Sequence, residues 1–359
     1  MKRACKKFVL FIYILAVILL CPACDKDMPT VQHVAGEQQN SDVQPIEIVI
    51  SHSRNVNTPE DLAARAMQSE LQALLGDKAK VILYADYQMG SAREQLEALQ
   101  LGRIHITIQP VSVTAQFVDD LKGLAMPYLF SANPEEVIAV LDGPLGQECL
   151  ELISTESGVP AFKGLAVWFG GYKLFTFHGE DHKQLQSPAD FQGIKIAVPD
   201  TSLLKAQYQH WGAEPISTEE IALYSTLAQQ TAHGSEATLS QIVSSYLYEV
   251  QHNVVQAYHS AEVYTVLANA QWFVGLSSDL QQAIIEAEAC GKTALYDALA
   301  KQEPTYIEML RRVEGMRYEV LDEKQISIFK ASVESIYQEQ LSGSPWQIDF
   351  VQRVRQCFT

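Results

Sequence analysis

Histidines, cysteines and paired carboxylates are the side chains best suited to chemistry, and their spacing in this chain offers little of it. His178 and His182 stand four apart, a separation that can serve two metal ligands. Gly179 and the neighbouring acids make that segment read instead as a turn between strands, carrying solvated histidines. Cys149 has no histidine spaced to act as its base. Glu219-Glu220 falls where a helix begins, and the favourable interaction of acids with a helix amino terminus accounts for the pair. There is no phosphate-binding Gly-x-x-x-x-Gly-Lys loop, no Gly-x-Ser-x-Gly elbow, no His-Glu-x-x-His and no calcium loop. The expectation is a protein without catalytic residues, metal or cofactor.

The elements that would position any site alternate. Ile46–Ile50 reads as a strand, and Thr58-Pro59-Glu60-Asp61 has cap and first-turn chemistry. Leu62–Leu75 then carries apolar residues at helical spacing up to Gly76. Val81–Tyr84 is a strand, Glu94–Leu101 a helix closed by Gly102, and Ile104–Ile108 a strand. Such alternation with short connections predicts an α/β fold, its parallel or mixed sheet covered by helices. Ligands in such sheets lie at the carboxyl ends of the strands, which puts His52-Ser53 and Tyr87-Gln88-Met89-Gly90 at a cleft. A second unit starts near Leu165, with two strand-like runs broken by Gly170-Gly171 and a further strand over Ile194–Pro199. Helices are expected over Leu203–Trp211 and Glu219–Gln230. From Ser278 to Leu341 the pattern is helical almost throughout, interrupted near Pro304 and Gly315.

At 359 residues, the chain exceeds the roughly 250–300 at which a single core stops growing, so two lobes are expected. Its 47% hydrophobic content excludes a largely disordered chain. With 26 basic and 43 acidic residues the net charge is −17, which argues against a nucleic-acid partner. Lys2, Arg3, Lys6 and Lys7 precede the apolar run Phe8–Leu20, and Cys21-Pro22-Ala23-Cys24 follows. That is an export signal ending in a lipoprotein-like cleavage site, although Cys21 stands where Leu or Val is usual. The Cys24 thiol is the expected lipidation point, which would place the protein in the periplasm on a lipid anchor. Residues 25–44 are polar and aperiodic, a flexible tether. Beyond the leader, Cys149, Cys290 and Cys357 are widely spaced and read as inert thiols rather than a disulfide or zinc framework.

Several segments, in order, resemble the solute-binding proteins of tripartite ATP-independent periplasmic (TRAP) transporters, the DctP-type family. They are Tyr87-Gln88-Met89-Gly90, Met126-Pro127-Tyr128-Leu129-Phe130, Asp142-Gly143-Pro144-Leu145-Gly146 and Ser187-Pro188-Ala189-Asp190-Phe191-Gln192-Gly193-Ile194-Lys195-Ile196. Trp211-Gly212-Ala213-Glu214-Pro215, Glu220 to Glu236 and Glu249-Val250 follow. The resemblance implies a two-lobed periplasmic-binding-protein fold with a ligand cleft between the lobes and a long helix spanning both. It divides the chain into a leader (1–24), a tether (25–44), lobe I (45–164, completed by part of 255–359), lobe II (165–254) and a helical region packing across the lobes (276–341). It also implies delivery of the solute to a membrane permease and, from one branch of the family, pairing with a tetratricopeptide-repeat lipoprotein.

The departures shape the expected ligand. Most of the family has an arginine gripping the ligand carboxylate on the strand matching Ile194–Pro199; that position is Ala197 here. A Gly-aromatic-Arg becomes Gly171-Tyr172-Lys173, which leaves Lys173 as the nearest cation, and the Asp-Gly-x-Glu-Asn segment becomes His233-Gly234-Ser235-Glu236-Ala237. This is a divergent member, expected to hold an apolar ligand such as a fatty acid against Tyr87, Met89, Phe130, Trp168, Phe169, Tyr172 and Trp211. Lys173, Glu236 and His259 are the expected polar contacts, His259 falling where the family has a histidine; each aromatic has ordinary core packing as its alternative role. A small organic acid held at Lys173 is the alternative ligand. A scaffold with little ligand function is the alternative role.

Overall fold

The computed structural model describes residues 45–155, 161–179, 185–341 and 343–358. The leader, the tether, Cys24 and His182 lie outside the described residues. Ten strands are described: β1 (Ile46–His52), β2 (Ala79–Tyr84), β3 (Ile106–Pro110), β4 (Phe162–Phe177), β5 (Lys195–Val198), β6 (Glu214–Ser217), β7 (Gly234–Thr238), β8 (Asn253–Gln256), β9 (Ala261–Asn269) and β10 (Arg317–Val320).

The first lobe is built on β2-β1-β3-β9-β4, with β1 parallel to both of its neighbours and β9 antiparallel to β3 and β4. A central parallel strand is covered on both faces, and β1 accordingly reads as a near-continuous apolar run with Ile48 and Ile50 fully buried. Helix Pro59–Leu75 covers it. Thr58 caps that helix by accepting from the Asp61 amide, Pro59 occupies the first turn, and Gly76 ends it at φ 53°. Ala63, Ala64, Met67, Leu71 and Leu75 form its buried face.

The second lobe is built on β6-β5-β7-β4, with β8 and β10 on the other side of β4. The two expected strand runs around the glycine pair are one continuous strand, β4, which serves both sheets. Its first half pairs with β9; its second half, from Lys173, pairs with β7 and β8. The register shifts between Phe169 and Tyr172, and the glycines there are dictated by space. A Cβ on Gly170 would sit 2.3 Å from the Tyr264 ring. Gly171 has φ 95°, and a Cβ on it would meet Glu303 Oε1 at 2.7 Å.

The chain crosses between lobes along β4, along the β8–β9 link, and along helix Ser278–Arg312. That helix packs on Pro59–Leu75 of the first lobe and on β10 and helix Leu239–Ser244 of the second. It runs through Pro304 without interruption, because packing on both sides of the proline outweighs one missing backbone donor. The expected break near Gly315 is a turn leading into β10, a four-residue strand whose partner, β8, is distant in sequence. The helix expected over Glu219–Gln230 is a short turn at Glu220–Ala222 followed by Leu223–Ala228.

Candidate functional site

A cavity of about 600 Å³ lies between the lobes, at the carboxyl ends of strands from both sheets. Ser53 and Arg54 follow β1, Tyr87 follows β2 and Ser112 follows β3. From the other lobe, Ala197 lies on β5, Glu220 follows β6, Glu236 lies on β7 and Gln241 follows it. Tyr87 adopts φ 60°, a strained backbone for an aromatic residue that turns up here beside the cavity.

The walls carry charge in alternating signs. Lys173 Nζ lies 3.2 Å from Glu236 Oε1 and 3.5 Å from Glu262 Oε2. Arg54 donates from Nη1 to Glu220 Oε1 across the cleft, while its Nη2 lies 3.5 Å from Glu262 Oε2. The Arg54 guanidinium also sits 5.2 Å above the Tyr264 ring. Gln241 donates a second hydrogen bond to Glu220 Oε1 at 3.1 Å. The other Glu236 oxygen is held from behind, by Tyr208 Oη donating at 2.7 Å and by His259 Nε2 at 3.1 Å.

Protonation follows from these pairings. Burial alone would lower the Lys173 pKa, but Glu262 and Glu236 raise it above the usual lysine value, so it stays charged. Burial would raise that of Glu236; Lys173, His259 and Tyr208 hold it well below the carboxylate range. Burial pushes Glu220 up, against the pull of Arg54. His259 is pushed down by burial and is neutral at pH 7. Burial, then the neighbouring Glu220, raises the Tyr87 phenol.

Of the residues proposed from sequence, the cavity is lined by Tyr87, Lys173, Ala197 and Glu236. His259 stands behind Glu236, its ring stacked 3.8 Å from Phe175. Met89 and Phe130 pack on the core. Trp168 is fully buried and donates to Glu288; Phe169 packs edge-to-face on Tyr172, whose hydroxyl donates to the Ser131 carbonyl. Trp211 belongs to an aromatic cluster with Phe175, Phe191, Tyr208 and Phe329. The wall beside Ala197 is apolar, with Val198, Pro199 and Leu223 lining the cavity, but of the expected aromatics only Tyr87 lines it. Neighbouring strands and the opposite lobe bring charge into the space that a shorter side chain at 197 opens.

Arg54, Glu220 and Glu262 were not anticipated as site residues. Arg54 follows His52-Ser53, at the strand end where ligands are expected, so the rule that selected those two extends to it. Glu262 is a lone acid in an otherwise buried strand, and it too is only 4% exposed. His178, read as solvated, binds the Val250 carbonyl and Gln230. Among the described residues no group of His, Cys, Asp and Glu is arranged to hold a metal ion, and no helix is long and apolar enough to cross a membrane. Cys149 is buried, and burial pushes its thiol up to about 12.

A family model described as bacterial extracellular solute-binding protein, family 7, matches residues 50–343. A solute-binding protein of Verminephrobacter eiseniae is 30% identical over 67% of this chain and 70% of its own. The C4-dicarboxylate-binding periplasmic protein DctP of Rhodobacter capsulatus is 26% identical over 72% of this chain and 75% of its own. Among solved structures, a TRAP periplasmic solute-binding protein from Shewanella oneidensis with bound succinate is similar in fold. Its TM-score is 0.80 at 21% identity, covering 88% of this chain and 100% of that one. One from Sulfurospirillum deleyianum, also with succinate, gives a TM-score of 0.78 at 23% identity, covering 86% and 98%.

Proposed function

Because the chain belongs to the bacterial extracellular solute-binding proteins of family 7, solute receptors of TRAP transporters, we propose that it captures a small polar solute of organic-acid size and delivers it to a TRAP permease. The observation that carries this reading is the make-up of the cavity: about 600 Å³, reached from both lobes, with Arg54, Lys173, Glu220 and Glu236 on its walls and Tyr87 the one aromatic among the described lining residues. An elongated lipid would cover these charges with hydrocarbon and offer nothing to replace the water they lose. A compact acid or its amino derivative can meet them, and the relatives with bound succinate are of that ligand size. A solute that touches both lobes stabilises the closed arrangement by its differential contacts, which is the signal a membrane partner reads.

Native mass spectrometry of the purified protein, followed by extraction of whatever is released on denaturation, tests the reading. A small polar molecule is expected; release of a fatty acid or other lipid overturns it in favour of the apolar-ligand alternative. The lipid anchor at Cys24 is supported by the leader alone, and its test is radiolabelled palmitate incorporation that disappears in Cys24→Ala.

A further inference from the structure

The charges around the cavity do not balance. Among the described residues, two buried cations, Arg54 and Lys173, face three carboxylates, Glu220, Glu236 and Glu262. His259 adds no charge. The remaining charges of the cavity rim are exposed: Arg93 is engaged with Glu97 and Gln116 and Asp200 with Lys205, while Glu219 adds a further acid. Lys173 is shared by two carboxylates and has none to spare. A plain anion entering this space meets no uncommitted cation and adds to an existing negative excess, a cost that grows as water is excluded.

Arg54 and Glu220 are the exception to this saturation. They stand on opposite lobes and hold each other across the cavity, so a solute that enters between them must replace what each loses. The Arg54 side chain is itself buried, at 7% exposure, and its Nε makes no hydrogen bond. A guanidinium on the cavity wall whose cross-cleft partner is removable suits a charge-assisted grip on a carboxylate.

We infer that the solute is a compact zwitterion, a small carboxylic acid that also carries a protonated amine: its ammonium takes Glu220 and its carboxylate takes Arg54. This deepens the receptor reading and rests on it. The exchange conserves the number of ion pairs, bridges the lobes through the solute, and adds no net charge to a pocket already in negative excess. Ala197 fits the same scheme, since a further arginine at that position would cancel the excess that favours an amine.

The test is calorimetric titration at pH 7 with matched four-carbon solutes, succinate, 4-aminobutyrate and butane-1,4-diamine. Glycine and β-alanine vary the separation of the two charges. At least one amino acid is expected to bind tenfold or more tightly than both succinate and the diamine. Glu220→Gln should erase that preference, with thermal melting to check the fold of the variant; the ranking on the unsubstituted protein decides the matter even if the variant unfolds. Succinate binding as tightly as every amino acid overturns the zwitterion while leaving the receptor reading intact, and so does preferential binding of the diamine. Failure of all five solutes, together with a protein purified with a bound solute that lacks nitrogen, overturns the zwitterion alone. Failure of all five with nothing bound overturns both.

Discussion

Two regions that meet along β4, one inside the second lobe and one between the lobes, are organised on opposite principles. On one side lie Phe175, Phe191, Tyr208, Trp211 and Phe329, buried rings meeting mostly edge-to-face with centroids 5.1–6.5 Å apart. On the other lie Lys173, Glu236, Glu262, Arg54 and Glu220, where two cations are shared among three carboxylates. Lys173 and Phe175 are two residues apart on β4, and Glu236 is the boundary between the regions. One of its oxygens faces Lys173; the other is held by Tyr208 and by His259, whose ring stacks on Phe175. The contrast teaches that the aromatic cluster is a mould for the charged one. Rigid rings fix Tyr208 and His259, which fix Glu236, which fixes Lys173.

That relation can be broken at its boundary. Glu236→Ala should cost about 3–5 kcal/mol in urea-induced unfolding, since it leaves Lys173, Tyr208 and His259 buried around a missing carboxylate, and solute binding should be lost as well. Within the aromatic region, Trp211→Ala should cost roughly 3–4 kcal/mol through its cavity and the lost bond to Ser332. Solute affinity, measured where the variant is fully folded, should stay within about threefold of the unsubstituted protein, because Phe175 and Phe191 still hold Tyr208; a large loss would show that Trp211 is needed to hold Tyr208 against Glu236 or itself reaches the solute.

Glu303 sharpens the comparison from outside both regions, beside Gly171. Burial, and then the nearby Glu60, raises its pKa to about 7. The folded protein thus holds a proton that the unfolded chain has released above about pH 4.5. Stability should therefore fall as pH rises from about 5 to 7 and level off above, by up to about 3 kcal/mol. Glu303→Gln should flatten the profile in denaturation series at fixed ionic strength. An unchanged profile would assign the pH dependence to other groups.

The fold was legible where its cause is local. The cap at Thr58, the apolar run of β1 and the stop at Gly76 each follow from a few neighbouring residues, and the ordered family segments supplied the two-lobed plan. β10 was missed because its pairing with β8 spans some sixty residues of chain, and Pro304 was over-weighted because its helix is secured by other elements. The site was legible in part for the same reason. Tyr87, Lys173, Ala197 and Glu236 sit on recognisable segments and do line the cavity. Trp168 and Trp211 were expected as apolar ligand contacts with core packing as the alternative, and large rings are what the core also selects. Arg54 and Glu220 have significance only as a pair, and 166 positions separate them.

The glycine pair in β4 has a mechanical consequence. When one body turns on another, displacement scales with distance from the fulcrum. Lys173 lies two residues from Gly171 and is tied by its backbone amide to the Ser260 carbonyl of the other crossing segment. If the lobes turn about that point, its ammonium would barely move and its links to Glu236 and Glu262 would survive, whereas the pair that bridges the lobes, Arg54 and Glu220, would part. Leverage would then sort the ion pairs into a fixed anchor at the axle and a clasp at the rim.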